Sequence, residues 1–265
     1  MLLDMRTTTT KAGTLRVMTL NVAHGARRPW PAALVGKRTL ARNLDAIAEL
    51  VRRTEPDVVG LQEIDRACAF SKNVDHFEWI ARGAEMPFHV HAPHGKRELF
   101  GMLHGHALLS RHPLDGSEDR RFARRLCHDK GFVAATITTP ALRGRAIDVV
   151  CVHLEPFAPG VRRSQILELA AALGARRERT GRPLVVMGDM NTGYGDAKRG
   201  VGLLASELGL GAWRPEEKLP TYSTSLPLVR FDWILASPEL SIVACKTLPD
   251  VVSDHAAVVA DIVWQ

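Results

Sequence analysis

Short apolar runs that stop on a chemically capable side chain constrain this chain more than any other feature. The run "VVMGDMNTG", residues 185–193, passes from a core-like strand into Asp189 and Asn191. The same event recurs in "MTLNVAHG" at Asn21, "VVGLQEID" at Glu63 and "VVCVHLEP" at His153. Two later segments, "RFDWILAS" and "VVSDHAAVV", add Asp232, Asp254 and His255. Asp, Asn and Gly together read first as a turn. Repetition at four strand ends calls for a further reason, because a buried strand cannot hold unpaired charges cheaply. Gathered at one rim, these side chains form an oxygen-rich cradle with two imidazoles. Such hard oxygen ligands suit Mg2+, with Mn2+ as a substitute. An Asp beside a His, with another Asp to orient the ring, suits general acid–base work.

The strands alternate with helical segments. "LRVMTLNVA" is a strand ending near Asn21, and "TLARNLDAIAELVRR" sets Leu40, Leu44, Ile47, Leu50 and Val51 on one helical face. "GHALLSRHPL", "GFVAATITT", "AIDVVCVHL", "PLVVMGD", "FDWILAS" and "AAVVADIVW" read as strands, and "VRRSQILELAAALGARR" as a second helix. Residues 66–104 have weak periodicity and read as loops with short elements. No linker composition interrupts the pattern, so residues 14–265 are expected to form one α/β domain, behind a loose tail at 1–13. The tail carries Asp4 and no long apolar run, which fits neither a signal peptide nor a membrane span, and a cytoplasmic protein is expected. The four cysteines lie far apart with no C-x-x-C pair, and Cys151 reads as a buried thiol within a strand. A net charge of +6 is compatible with a phosphate-bearing partner without establishing one.

Six motifs in this order resemble the endonuclease/exonuclease/phosphatase superfamily, the deoxyribonuclease-I-like fold, from "LRVMTLNVAHG" to "VVSDHAAVVADI". "GHALLSRHPL" resembles the family's central strand, and Arg162 and Gln165 stand at a helix start common in bacterial members. The resemblance implies a four-layered α/β sandwich, two mostly antiparallel sheets flanked by helices, with the site at one edge. It implies a Mg2+ ligand at Glu63, Asn21 beside it on the phosphate or a metal-bound water, and Asp254 completing the metal site. Asp189 and Asn191 would position the attacking water and the scissile phosphate, or hold a second metal. His255 would take or relay a proton, oriented by Asp232, and His153 would steady a phosphate oxygen or assist the leaving group. The turn reading of "GDMNTG" gives way to the site, with a turn left open for residues 192–195.

The histidines of "FHVH" and "GMLHGHALLS" alternate, so His89 with His91, or His104 with His106, point to one face of a strand. Without fuller ligand spacing they read as surface histidines, although His106 is a candidate substrate-binding residue just before "ALLS". The cluster "DRRFARRLCHDK" reads as a solvated face. Ala23 and His153 depart from the apurinic endonucleases of the family. No aromatic membrane-facing hairpin of the sphingomyelinase branch is evident. The expected activity is a Mg2+-dependent phosphohydrolase acting on phosphodiesters or phosphomonoesters. The alternatives are a nuclease on DNA or RNA, or a catalytically silent module that binds phosphorylated ligands. The expected partner is a small phosphorylated substrate or a nucleic-acid end, with no obligate protein partner. Basic residues are few near the motifs, and Phe70, Phe77, Trp79, Phe88 and Phe100 are expected to wall a compact ligand.

Overall fold

The computed structural model describes residues 13–27, 35–69, 71–97, 102–123, 130–214, 217, 219–224 and 228–265. The tail up to residue 12, Phe70, Phe100 and residues 124–129 of the basic cluster lie outside them. Twelve strands form two six-stranded sheets among the described residues. The first contains β1 (Thr14–Asn21), β2 (Val58–Asp65), β3 (Phe88–Arg97), β4 (Met102–Ser110), β11 (Leu240–Thr247) and β12 (Val258–Trp264), in the order β11-β12-β1-β2-β4-β3. The second contains β5 (Leu114–Arg121), β6 (Gly131–Thr138), β7 (Ala146–His153), β8 (Leu184–Asp189), β9 (Gly211–Ala212) and β10 (Asp232–Ala236), in the order β5-β6-β7-β8-β10-β9. Each sheet is antiparallel except for one central parallel pair, β1 with β2 and β7 with β8. The expected sandwich of two mostly antiparallel sheets flanked by helices is the observed fold.

Strand alternation explains the layers, because successive side chains point to opposite faces. Leu15 and Val17 of β1 join Cys151 of β7 and Met187 of β8 in the core between the sheets. Met18 and Leu20 face the other way, against Leu40, Leu44 and Ile47 of α1 (Lys37–Thr54) and Phe77 and Ile80 of α2 (His76–Gly83). Val150 and Val186 likewise pack on Ile166 and Leu169 of α3 (Pro159–Thr180) and Leu204 of α4 (Gly200–Leu208). Three apolar layers therefore separate four layers of secondary structure. No helix of the described residues is long and apolar enough to cross a membrane.

Residues 66–104 are more ordered than their weak periodicity implies. They contain α2, capped by the Asp75 side chain accepting from the Glu78 N–H, and the ten-residue β3. His89 and His91 flank the Phe77 ring, with centroids 4.9 and 5.2 Å away, so this pair packs on an aromatic ring instead of chelating. None of the described aromatics expected as walls borders the cleft described below. Phe77 is core and Trp79 donates from Nε1 to Asp45 of α1.

Candidate active site

The parallel pairs bring the functional residues to one edge. Asn21, His153 and Asp189 end β1, β7 and β8, and Glu63 lies near the end of β2. β10 and β12 run antiparallel to their neighbours, so their starts arrive at the same edge, with Asp232 opposite Asp189. Asp254 and His255 lead into β12. A cleft of about 290 Å3 opens there, lined by Asn21, Glu63, His153, Asp189, Asn191, Asp254 and His255 together with Phe157, Tyr222 and Phe231.

Local backbone features aim these side chains. The β2–β4 register shifts between Gln62 and Ile64, and Glu63 takes a φ of 54° at that bulge. The bulge turns a carboxylate out of a buried strand, leaving it 26% exposed. Gly188 precedes Asp189 at a φ of 147°, where an added Cβ would lie 1.9 Å from the Val152 carbonyl oxygen. Only glycine fits between β7 and β8 at that point. Asp189 Oδ1 then accepts from the Asn191 N–H at 2.9 Å, an Asx turn, and Asn191 Nδ2 donates to the Leu154 carbonyl at 2.9 Å. The turn and the site are thus one structure, and the following turn is closed by Asp196 and Arg199, not within 192–195.

Asp189 is the hub. Its Oδ2 accepts from Asn21 Nδ2 at 3.0 Å and lies 3.4 Å from His153 Nε2 and 3.7 Å from His255 Nε2. Burial raises its carboxyl to about 7, with His255 opposing and Asp232 reinforcing the shift. His255 Nδ1 is 2.8 Å from Asp232 Oδ2, and both side chains are buried. Burial works against a charged His255 ring, but Asp232 and then Asp189 outweigh it and lift it to about 10. One ligand atom each from Asp189, Asp232 and His255 lies within 4.8 Å of the others. The Asp232–His255 hydrogen bond already engages one atom of each of two of those three. Burial also raises Asp254, partly offset by His255.

Three residues join the site that the motif reading did not single out for it. Lys130, buried just before β6, places Nζ 3.4 Å from Glu63 Oε1 and 2.8 Å from His153 Nε2. His24, in the 3-10 turn Ala23–Gly25 after β1, places Nε2 3.6 Å from Glu63 Oε2 and Nδ1 3.0 Å from Asp65 Oδ1. Burial opposes the charge on Glu63, but Lys130, then His24 and His255, hold the carboxyl down to about 2. Burial opposes the charge on His24 as well, and Asp65 with Glu63 raises it to about 8. Burial and Lys130 together hold His153 far below the usual imidazole range. Tyr222 stacks obliquely on His255, with ring centroids 4.8 Å apart. His106 does not line the cleft; it is buried behind His153, with ring centroids 5.8 Å apart. Arg162 and Gln165 tie down the loop after β7. Arg162 Nη1 donates to the carbonyls of Glu155 and Pro156, and Gln165 Oε1 accepts from the Glu155 N–H.

Known proteins share this frame. The chain is 27% identical over 231 residues to the uncharacterized protein YbhP of Escherichia coli K12, covering 83% of this chain and 88% of that one. The human Nocturnin catalytic domain, solved with a bound sulfate anion, superposes with a TM-score of 0.72 at 22% identity, covering 95% of this chain and 94% of that domain. A mannosyl-6-phosphatase of Bacteroides thetaiotaomicron superposes with a TM-score of 0.70 at 14% identity, covering 94% and 100%. At those identities the superpositions establish the fold. The family model described as "Endonuclease/Exonuclease/phosphatase family" matches residues 18–255, from the middle of β1 to His255. The chain belongs to the endonuclease/exonuclease/phosphatase family.

Proposed function

We propose that the chain is a divalent-metal-dependent phosphohydrolase that cleaves phosphodiester or phosphomonoester bonds by in-line attack of water. The observation that carries this reading is the surroundings of Asp189 Oδ2. A carboxamide and two imidazoles face one carboxylate oxygen at 3.0 to 3.7 Å, in the wall of an open cleft. The other oxygens on that cleft fit a hard dication, for Glu63, Asn21 and Asp254 offer carboxylate and carboxamide donors. These three residues would hold Mg2+, or Mn2+ in its place, and the ion when bound would supply Lewis-acid charge at a phosphoryl oxygen.

The side chains do the rest. Asp189 takes a proton from the attacking water while Asn21 and Asn191 fix the positions of the reacting groups. His255, oriented by Asp232, presents Nε2 to the cleft and offsets charge that develops on the phosphorus oxygens. Neutral His153 accepts from the Lys130 ammonium at Nε2, and the positive charge on that side comes from Lys130. The compact cleft favours a small phosphorylated substrate or a nucleic-acid end.

The test is hydrolysis of bis(p-nitrophenyl) phosphate and p-nitrophenyl phosphate with Mg2+ or Mn2+, before and after EDTA. Turnover that EDTA abolishes and added metal restores is expected. Glu63→Gln should lose at least tenfold in Mn2+ affinity by calorimetry. Failure of both esters with both metals, or metal-independent turnover, overturns the reading.

A further inference from the structure

The loop that carries Asn191 into the cleft runs on into the wall of another cavity. This second cavity, of about 460 Å3, lies between the start of α3 and the loop that follows β8. Arg162, Arg163 and Arg199 line it with Gly160, Thr192 and Gly193, and no carboxylate is among the described residues of its wall. The two cavities share their walls in sequence. Pro156 and Phe157 border the first and Gly160 the second, while Asn191 borders the first and Thr192 and Gly193 the second. Neighbouring residues of the same two loops therefore wall both cavities.

Several features leave this cavity accessible to an anion. Arg162 gives its hydrogen bonds to two backbone carbonyls, and the Glu155 and Asp189 carboxylates act on it only through space. The start of α3 has no side-chain cap, and a Cβ built on Gly160 there meets nothing within 4 Å. The opposite wall is a tight loop. Gly200 has a φ of 65°, and a Cβ there would lie 2.6 Å from the Gly193 carbonyl oxygen. That folded-back path carries Arg199 to the rim, where its bond to Asp196 is solvent-exposed and weak. Guanidinium forks match phosphate oxygens two at a time, which a lysine cannot do.

We infer that this cavity is a subsite for a second phosphate group, so that the substrate is a small molecule bearing one phosphate beyond the phosphoester that reacts. The identity of the reacting group rests on the phosphohydrolase reading above; the anion subsite rests on the arginine cavity alone.

The test compares thymidine 5′-(p-nitrophenyl phosphate) with its 3′-phosphorylated form, alongside calorimetry of inorganic phosphate binding to the metal-free protein. The wild type is expected to favour the 3′-phosphorylated ester at least tenfold in kcat/KM, and R163E/R199E to bring that ratio close to one. R38E/R42E, the same charge change on the exposed start of α1, should keep the wild-type ratio. A wild-type ratio near one, or one that R163E/R199E does not lower, overturns the subsite. An equal fall in R38E/R42E overturns it too, as the signature of net charge alone. If neither ester is hydrolysed, the phosphohydrolase reading fails for these esters and calorimetry decides. Phosphate binding lost in R163E/R199E but kept in R38E/R42E supports the subsite, and binding that is absent or equal in all three overturns it.

Discussion

Lys130 Nζ stands 2.8 Å from Nε2 of His153 and 3.4 Å from Oε1 of Glu63, so one buried ammonium serves a residue of each sheet. It supplies the cationic charge that a neutral His153 cannot. Lys130→Met is expected to lower kcat/KM on the order of 100-fold, the usual loss when one preorganised donor to a transition state is removed. The His153 ring should also titrate at a higher pH, because one of the causes holding it down is gone. Steady-state kinetics and histidine NMR titration check both. An unchanged kcat/KM would refute the role.

Asp232 and His255 should behave as a unit. His255→Asn and Asp232→Asn are each expected to reduce kcat about 100-fold or more with a small change in KM, because the pair acts on the transition state. The double variant should be little worse than the worse single one. Losses that multiply would show that the 2.8 Å contact between them is not used in turnover.

Gly188→Ala should destabilise the fold by roughly 3 kcal/mol or more, through a backbone conformation that L residues avoid and a clash with the Val152 carbonyl. Urea unfolding is the measurement. A midpoint within error of wild type would mean that β7 and β8 separate more easily than their close approach implies.

Acid should weaken the protein through histidines that do not line the cleft. Burial pushes His91 down to about 4, against a hydrogen bond to the Ile64 backbone. An unfolded histidine titrates at about 6.5, so between there and about 4 the unfolded chain binds a proton that the folded chain does not. Stability from this site is whole above about pH 6.5 and is lost as pH falls through that window. The loss is on the order of 2 kcal/mol, discounted for the ring's partial exposure. His91→Gln should flatten part of the pH dependence measured by urea unfolding. His104, also pushed down to about 4 by burial, contributes in the same direction.

The strand ends were legible because each carries its own local contrast, an apolar run breaking on Asn21, Glu63, His153 or Asp189. β5 escaped the reading because it is an edge strand whose exposed residues are polar, as "LDGSEDRR" shows, and β11 is the edge strand of the other sheet. Lys130 was hidden for a different reason. It belongs to a basic run that reads as solvated, and only the pairing of β6 with β7 brings it under His153. Counting basic residues beside the motifs likewise misses Lys130, which reaches Glu63 and His153 by packing. His24 did carry a signal. It lies three residues after Asn21 and next to Gly25, in a turn with φ 54° that turns its ring toward Glu63.

The division of the site between two sheets has a consequence for how this protein tolerates change. Asn21 ends a strand of one sheet and His255 leads into another strand of it, Asp189 and Asp232 belong to the other sheet, and both connecting hydrogen bonds cross the gap between them. One strand residue advances about 3.3 Å, roughly the length of such a bond. A slip of the sheets by even part of that distance would part both bonds while leaving each sheet's own ladder intact. Catalytic competence is therefore a gauge of inter-sheet alignment. Substitutions at Cys151 or Met187, deep in the central layer, should silence the chain while circular dichroism still records a folded protein.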